Sequence, residues 1–178
     1  MHRANVGLPH LAGHRPGGAF YPSNMRVAFS ADHAGAWLKD ELIRRIGATG
    51  LDHQLIDLGG DGTDPDDDYP DFARRLGEAI QRGEADRGIL ICGSGVGASV
   101  AATKMRGIRS AVCHDTYSAH QGVEHDDMNV LTLGARVIGP EPALECSLAF
   151  LAATFSGEPR HVRRLKKVLA IEAEQTAG

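Results

Sequence analysis

Residues 86–99 read DRGILICGSGVGAS, and the organisation of the chain is predicted outward from them. The short apolar run that ends at Cys92 is typical of a strand buried on both faces. The glycines that follow permit a sharp turn that points consecutive backbone N–H groups to one place, where a helix is expected to begin. The turn is therefore predicted to cradle an anion. Cys92 lies at its lip, where the positive end of the helix favours a thiolate; the alternative is a small, inert, buried cysteine.

Strand and helix patterns alternate on both sides of this stretch. Strands are predicted at 26–30, 53–58, 86–92, 109–113 and 130–133. Helices are predicted at 34–46, 71–82, from the glycine turn to about 105, and at 116–123, 141–155 and 160–174. Strands that are joined by helices form parallel sheets with helices on both faces. The expected fold class is therefore α/β, a three-layer α/β/α sandwich around a five-stranded parallel sheet.

Composition limits the partners and the compartment. Residues 25–178 are predicted to form a single domain that ends in a helix, whereas residues 1–24 lack acidic side chains and apolar periodicity and are expected to be a disordered or loosely docked extension. A net charge of −4 argues against nucleic acid or a membrane surface as partner. The three cysteines are odd in number and far apart, which favours reduced thiols and a cytoplasmic location.

Two kinds of cofactor site are weighed and set aside. The relaxed dinucleotide pattern Gly-x-Gly-x-x-Ala occurs at 93–98, with Asp115 at the end of the next strand, but it follows the third strand rather than the first. Histidines and aspartates are numerous near the strand ends, yet none has an established metal-ligand spacing. The acidic run at 64–68 is interpreted as a solvated loop. Neither a cofactor nor a metal is predicted.

The carboxyl ends of the strands are where an open parallel sheet binds its ligand. Asp32 and His33 follow the first predicted strand and Cys92 ends the third, so these side chains are expected at one edge. His125 precedes the fifth strand and belongs to the opposite edge. It could join the others within one chain only through a loop that folds back.

A basic run near the C-terminus has two interpretations. Arg160 and Arg164 are one helical turn apart, which is a geometry that can grip a phosphate monoester. A solvated helix face is the alternative, since most charge runs are of that kind.

Taken together, these motifs resemble the ribose-5-phosphate isomerase type B family, which includes the galactose-6-phosphate isomerase subunits. The resemblance covers about 25–169. It rests on SADHAG at 30–35, DYP at 68–70, GILICGSGVG at 88–97, GIR at 107–109, His125, NVL at 129–131 and GAR at 134–136.

The resemblance implies a Rossmann-like sandwich that forms a homodimer, with each active site completed by the neighbouring chain; whether dimers pair into tetramers is left open. It also implies aldose–ketose isomerisation of a small sugar phosphate through an enediolate, without metal or cofactor. Cys92 would be the base that moves the proton between carbons 1 and 2, and Ser94 would orient it. Asp32 and His125 would open the furanose ring.

Substrate binding is also assigned by this resemblance. His33, Arg136, Arg160 and Arg164 would hold the phosphate. Backbone N–H groups around Gly93, Gly95, Val96 and Gly97 would stabilise the developing oxyanion, and Tyr69 and Asn129 would contact the substrate.

One position departs from the family pattern. Asp126 follows His125 where the family commonly has asparagine, and a carboxylate accepts hydrogen bonds without donating them. The expected reaction interconverts ribose 5-phosphate and ribulose 5-phosphate. A six-carbon or modified aldose phosphate is the alternative substrate, and a non-catalytic sugar-phosphate sensor is the alternative function.

Overall fold

The computed structural model describes residues 24–175. The predicted extension therefore lies outside the described residues, apart from Asn24. The elements follow in the order β1 (Arg26–Ala31), α1 (Ala36–Ala48), β2 (Gln54–Asp57), α2 (Tyr69–Gln81), β3 (Arg87–Cys92), α3 (Val96–Ala102), β4 (Ser110–Val112), α4 (Thr116–Asp126), β5 (Val130–Gly134), α5 (Pro140–Ala152) and α6 (Pro159–Gln175).

The strands form a five-stranded sheet in the order β2-β1-β3-β5-β4. Every pairing in the sheet is parallel. The strand order reverses between β1 and β3, because β2 lies on one side of β1 and β3 lies on the other. That reversal opens a crevice at the carboxyl ends of β1 and β3, which is where such sheets bind ligands.

Two apolar layers cover the sheet. One core packs α1, α4 and α5 against β1, β3 and β5, and the other packs α2 and α3 against the opposite face. β3 and β5 are apolar and buried along nearly their whole length, as expected for strands covered on both faces. The predicted three-layer sandwich is confirmed.

The register of the strands places Asp32, Cys92 and Gly134 at the same height in the sheet. Ala31 pairs with Ile91 and Cys92 pairs with Gly134, so Asp32 follows β1 at the height of Cys92. Adjacent strands lie about 4.8 Å apart. Asp32 and Cys92 are consequently neighbours across the β1–β3 crevice.

Two helices differ from the prediction in ways that affect the site. α4 continues to Asp126, three residues beyond the predicted end, so His125 lies in the last turn of a helix rather than in a loop. Asp127 then ends the helix with a left-handed conformation, φ 52°. α6 buries only His161 among its residues, and its apolar Val168 and Ile171 are exposed.

Candidate active site

The thiol of Cys92 is held by the glycine turn. Cys92 is 4% exposed, and its Sγ accepts a hydrogen bond from the backbone N of Gly95 at 3.1 Å. Gly95 has φ +81°, a left-handed conformation that glycine adopts without strain. The turn therefore fixes the position of the Cys92 thiol at the carboxyl end of β3.

Ser94 lies across the end of β5. A Cβ on Gly134 would come within 2.5 Å of the Ser94 backbone, so this close approach requires glycine. The Ser94 Oγ accepts a hydrogen bond from the Val96 N at 3.3 Å. Two amides of the predicted oxyanion cradle, those of Gly95 and Val96, therefore donate to Cys92 and Ser94 within the turn.

Asp32 faces the same crevice and is 7% exposed. Its Oδ1 accepts from the backbone N of Gly35 at 3.0 Å. Burial raises the pKa of Asp32 above its usual range, although the Gly35 hydrogen bond opposes the shift. A carboxylate with a raised pKa is better suited to accept and return a proton.

The His33 side chain is paired with Asp67, which belongs to the acidic run 64–68 that was predicted to be a solvated loop. Asp67 Oδ1 lies 2.6 Å from His33 Nδ1 and accepts from the His33 backbone N at 3.0 Å. The Asp67 side chain is only 13% exposed, so the interpretation of 64–68 as a wholly solvated loop was wrong at this position. The hydrogen bond to the Asp67 carboxylate raises the pKa of His33, which favours a cationic imidazole.

Arg136 and Tyr69 border the glycine turn. The Arg136 backbone N donates to the Gly93 carbonyl at 3.0 Å, and its guanidinium lies 3.6 Å from where a Gly93 Cβ would be. A Cβ on Gly97 would lie 2.8 Å from the Tyr69 ring. Arg136 is near enough to His33 to lower the pKa of that imidazole by repulsion. The His33 imidazole and the Arg136 guanidinium therefore approach the same place, which is the arrangement expected of an anion site.

We call Asp32, His33, Cys92, Arg136 and the turn 93–97 the carboxyl-edge group. The structure brings all of them together at one edge of the sheet. Asp67 is the neighbour that sequence reasoning missed, because its partner is 34 residues away.

Of the two predicted ring-opening residues, His125 lies elsewhere in the fold. His125 is on the last turn of α4 and stacks on His161 of α6, with ring centroids 4.0 Å apart and an interplanar angle of 30°. Its Nδ1 lies 2.8 Å from Nε2 of Gln121. Neither Gln121 nor His161 was singled out from the sequence as part of the site.

The remaining predicted binding residues accompany His125. Arg160 and Arg164 are exposed on α6, and both are close enough to the buried His161 to lower its pKa. Arg160 also pairs with Glu158 at 2.8 Å. The Asn129 side chain accepts from the backbone N of Arg109 at 2.9 Å and donates to the Gly107 carbonyl at 2.8 Å.

We call His125, Asn129, Arg160 and Arg164 the amino-edge group. It lies at the opposite end of the sheet from the carboxyl-edge group, since α4 runs back from the end of β4 to the start of β5. The five residues of β5 separate the two edges by about 16 Å. A single chain therefore does not bring His125 to Cys92. Asp126, the departure from the family pattern, is exposed beside His125.

Two further properties of the described part of the chain concern membranes and metal ions. Between residues 24 and 175, no helix combines the length and the apolarity needed to cross a membrane. Within the same range, no three His, Cys, Asp or Glu residues are grouped as a metal ion would need.

A doubly wound parallel sheet binds its ligands at the switch point, and here a thiol, a carboxylate, an imidazole and a guanidinium meet there, as in α/β proteins that bind small anionic ligands. Residues 27–168 match the model of the Ribose/Galactose Isomerase family. The chain belongs to this family, and it is an isomerase of the sugar-phosphate class.

Individual relatives agree with that assignment. The chain is 42% identical over 147 residues to ribose-5-phosphate isomerase B of Escherichia coli, which covers 83% of this chain and 96% of that protein. It is 43% identical over 133 residues to D-erythrulose-4-phosphate isomerase of Pectobacterium atrosepticum, covering 75% and 86%.

Solved structures are similar over the same region. The Clostridium thermocellum ribose-5-phosphate isomerase B structure has a TM-score of 0.79 and 42% identity, covering 85% of this chain and 100% of that chain. The Mycoplasma genitalium enzyme, solved with bound ribulose-5-phosphate, has a TM-score of 0.76 and 34% identity, covering 84% and 97%.

Proposed function

We propose that this chain interconverts ribose 5-phosphate and ribulose 5-phosphate through an enediolate, with Cys92 as the base. The observation that carries the proposal is the thiol at the β1–β3 switch point, held by the Gly95 N–H and level with Asp32. The relatives named ribose-5-phosphate isomerase B support the choice of substrate.

The carbon chemistry is a proton transfer between two neighbouring carbons. The Cys92 thiolate takes the proton from carbon 2 of the open aldose, and the electron pair of that bond moves to give an enediolate with its negative charge on oxygen 1. The proton of the carbon 2 hydroxyl moves to oxygen 1, and the Cys92 thiol returns its proton to carbon 1. Backbone donors near Gly93 would stabilise the oxyanion, and one such donor is worth roughly 3 kcal/mol.

Ring opening precedes that transfer. The C1–O4 bond of the furanose breaks as O4 receives a proton and the anomeric hydroxyl loses one. We assign the donor to His125 and the acceptor to Asp32, whose pKa burial raises. A positioned acid or base typically accelerates a step by about 10²- to 10⁴-fold.

The phosphate would be bound by His33, Arg136, Arg160 and Arg164. His33 and Arg136 lie at the carboxyl edge with Cys92. Arg160 and Arg164 lie at the amino edge with His125. A shared site in a homodimer reconciles the two locations, because the amino-edge group of one chain would complete the carboxyl-edge group of its partner. Exposed apolar side chains support an interface near each group: Trp37, Tyr117 and Val137 toward one edge, and Val168, Leu169 and Ile171 on α6.

A second candidate substrate is a four-carbon sugar phosphate. Two relatives are named D-erythrulose-4-phosphate isomerase, one of them 43% identical to this chain. The chemistry separates the two candidates, because a tetrose phosphorylated at oxygen 4 cannot close a furanose ring through that oxygen. It needs the Cys92 step but not the ring-opening step.

The test is isomerisation in heavy water followed by proton NMR, with ribose 5-phosphate, erythrose 4-phosphate and allose 6-phosphate run in parallel. Ribose 5-phosphate is expected to give ribulose 5-phosphate with deuterium at carbon 1, and to exchange at carbon 2, in each turnover in which the Cys92 thiol exchanges its proton with heavy water before returning it. Turnover of a four- or six-carbon phosphate in place of ribose 5-phosphate would keep the reaction and change the substrate. No turnover of any sugar would favour the sensor alternative.

The His33–Asp67 pair predicts a pH effect on phosphate binding. Asp67 raises the pKa of His33, so the imidazole stays cationic to a higher pH and loses its charge as pH rises through that raised value. In Asp67→Asn, the pH above which KM rises is expected to shift downward. KM is measured across the neutral range, with Asp66→Asn as the matched control. An unchanged pH profile would exclude His33 as a phosphate ligand that depends on its charge.

A further inference from the structure

Gln121 lies on α4 one helical turn before His125, and its Nε2 is 2.8 Å from His125 Nδ1. We propose that Gln121 is a positioning residue that holds His125 in the tautomer with the proton on Nε2. The inference rests on the proposed function, which gives His125 the task of protonating the ring oxygen. It adds the residue that decides which nitrogen carries that proton.

The tautomer follows from the partners of the two ring nitrogens. An amide nitrogen donates hydrogen bonds and cannot accept them, so Nδ1 of His125 must accept from Gln121. A neutral imidazole that accepts at Nδ1 carries its proton on Nε2. The Glu124 carboxylate lies on the side of Nε2, with its Oε2 3.8 Å from that nitrogen. A carboxylate on that side also favours a proton on Nε2.

The plane of the ring is set separately. His161 stacks on His125 at 4.0 Å, and its own Nδ1 lies 2.6 Å from the Ser156 hydroxyl. Burial lowers the pKa of His161, which favours a neutral ring beneath His125. The stack fixes where the imidazole lies, whereas Gln121 fixes the rotation of the ring and the nitrogen that donates.

The consequence for the reaction is a donor that is ready before the sugar binds. With Nδ1 occupied by Gln121, Nε2 is the nitrogen that gives its proton to O4 as the C1–O4 bond breaks. The imidazolate that is left takes a proton back from solvent water, which reaches the partly exposed ring, before the next turnover. The opposite tautomer would present a bare Nε2 that cannot donate. Only substrates that arrive as closed rings should depend on this arrangement.

The experiment compares the wild-type enzyme with Gln121→Met and Gln121→Glu. Methionine keeps similar bulk without a hydrogen bond, and glutamate keeps the shape but accepts a hydrogen bond from Nδ1–H. Tautomers are read from the ¹⁵N shifts of labelled imidazoles at a pH where the ring is neutral, with His125→Gln used to assign the signal. The wild type should show the proton on Nε2, Gln121→Met a mixture, and Gln121→Glu a proton on Nδ1.

Activity supplies the second readout. With ribose 5-phosphate, at a pH where the ring is neutral, kcat of Gln121→Glu should fall by about 10²-fold, the usual contribution of a positioned acid. With erythrose 4-phosphate, which has no ring to open, kcat should change little. A wild-type proton on Nδ1, or equal losses on both sugars, would overturn the proposal. If the wild type isomerised neither sugar, the proposed function would fail while the tautomer measurement would still decide the role of Gln121.

Discussion

Replacing Cys92 with alanine is expected to lower kcat on ribose 5-phosphate by at least about 10³-fold, because no other group then removes the carbon 2 proton. Affinity for a non-isomerisable sugar-phosphate analogue should be nearly unchanged, since the phosphate is bound by other side chains. Exchange of the carbon 2 proton with heavy water should be lost together with turnover. The measurement is initial-rate kinetics combined with isothermal titration of the analogue.

The other two cysteines provide the matched control. Cys113 and Cys146 are buried, and burial raises the pKa of both thiols to about 11, which makes them poor bases and poor nucleophiles near neutral pH. Cys146→Ala should therefore lower the melting temperature through lost packing and leave kcat within a few-fold of the wild type. If Cys92→Ala retained a tenth of the wild-type kcat, Cys92 would have to be removed from the role of base.

The α/β architecture could be predicted because its signals are local. Apolar runs of strand length that are broken by glycine and aspartate located all the strands to within a few residues, and the pattern around 86–99 predicted the glycine turn itself. The end of α4 was harder to predict from the sequence, since 124–127 read EHDD and show no helical apolar spacing. The helix there is ended by the left-handed Asp127, which periodicity does not report.

The residues of the site also fall into those that the sequence could predict and those that it could not. Residues that follow strands, such as Asp32 and Cys92, were placed correctly at one edge because parallel strands end together. Asp67 and His161 could not be placed, since their partners come from distant turns and from a helix whose docking depends on the whole fold. The sequence pattern did indicate that His125 lies at the opposite edge, and the structure bears this out.

The location of His125 leads to a test of the shared site that a single substitution cannot supply. We expect Cys92→Ala and His125→Ala chains, each inactive alone on ribose 5-phosphate, to regain activity when they are coexpressed. In a dimer with one chain of each kind, one site draws its thiol from the His125→Ala chain and its imidazole from the Cys92→Ala chain, and both groups are intact; the other site lacks both. Because a two-fold dimer has two equivalent sites, the heterodimer should have about half the wild-type kcat. Two different affinity tags allow that heterodimer to be isolated.

A second heterodimer, which carries both substitutions on one chain, provides the control. A wild-type chain paired with a chain that carries both substitutions has Cys92 in one site and His125 in the other, so neither site is complete if residues are exchanged between chains. If each chain built its own site, this second heterodimer would have about half the wild-type activity and the first would have none. The two arrangements therefore predict opposite results for the same pair of proteins. The separation of Cys92 and His125 by the length of β5 within one chain favours activity in the first heterodimer and its absence in the second.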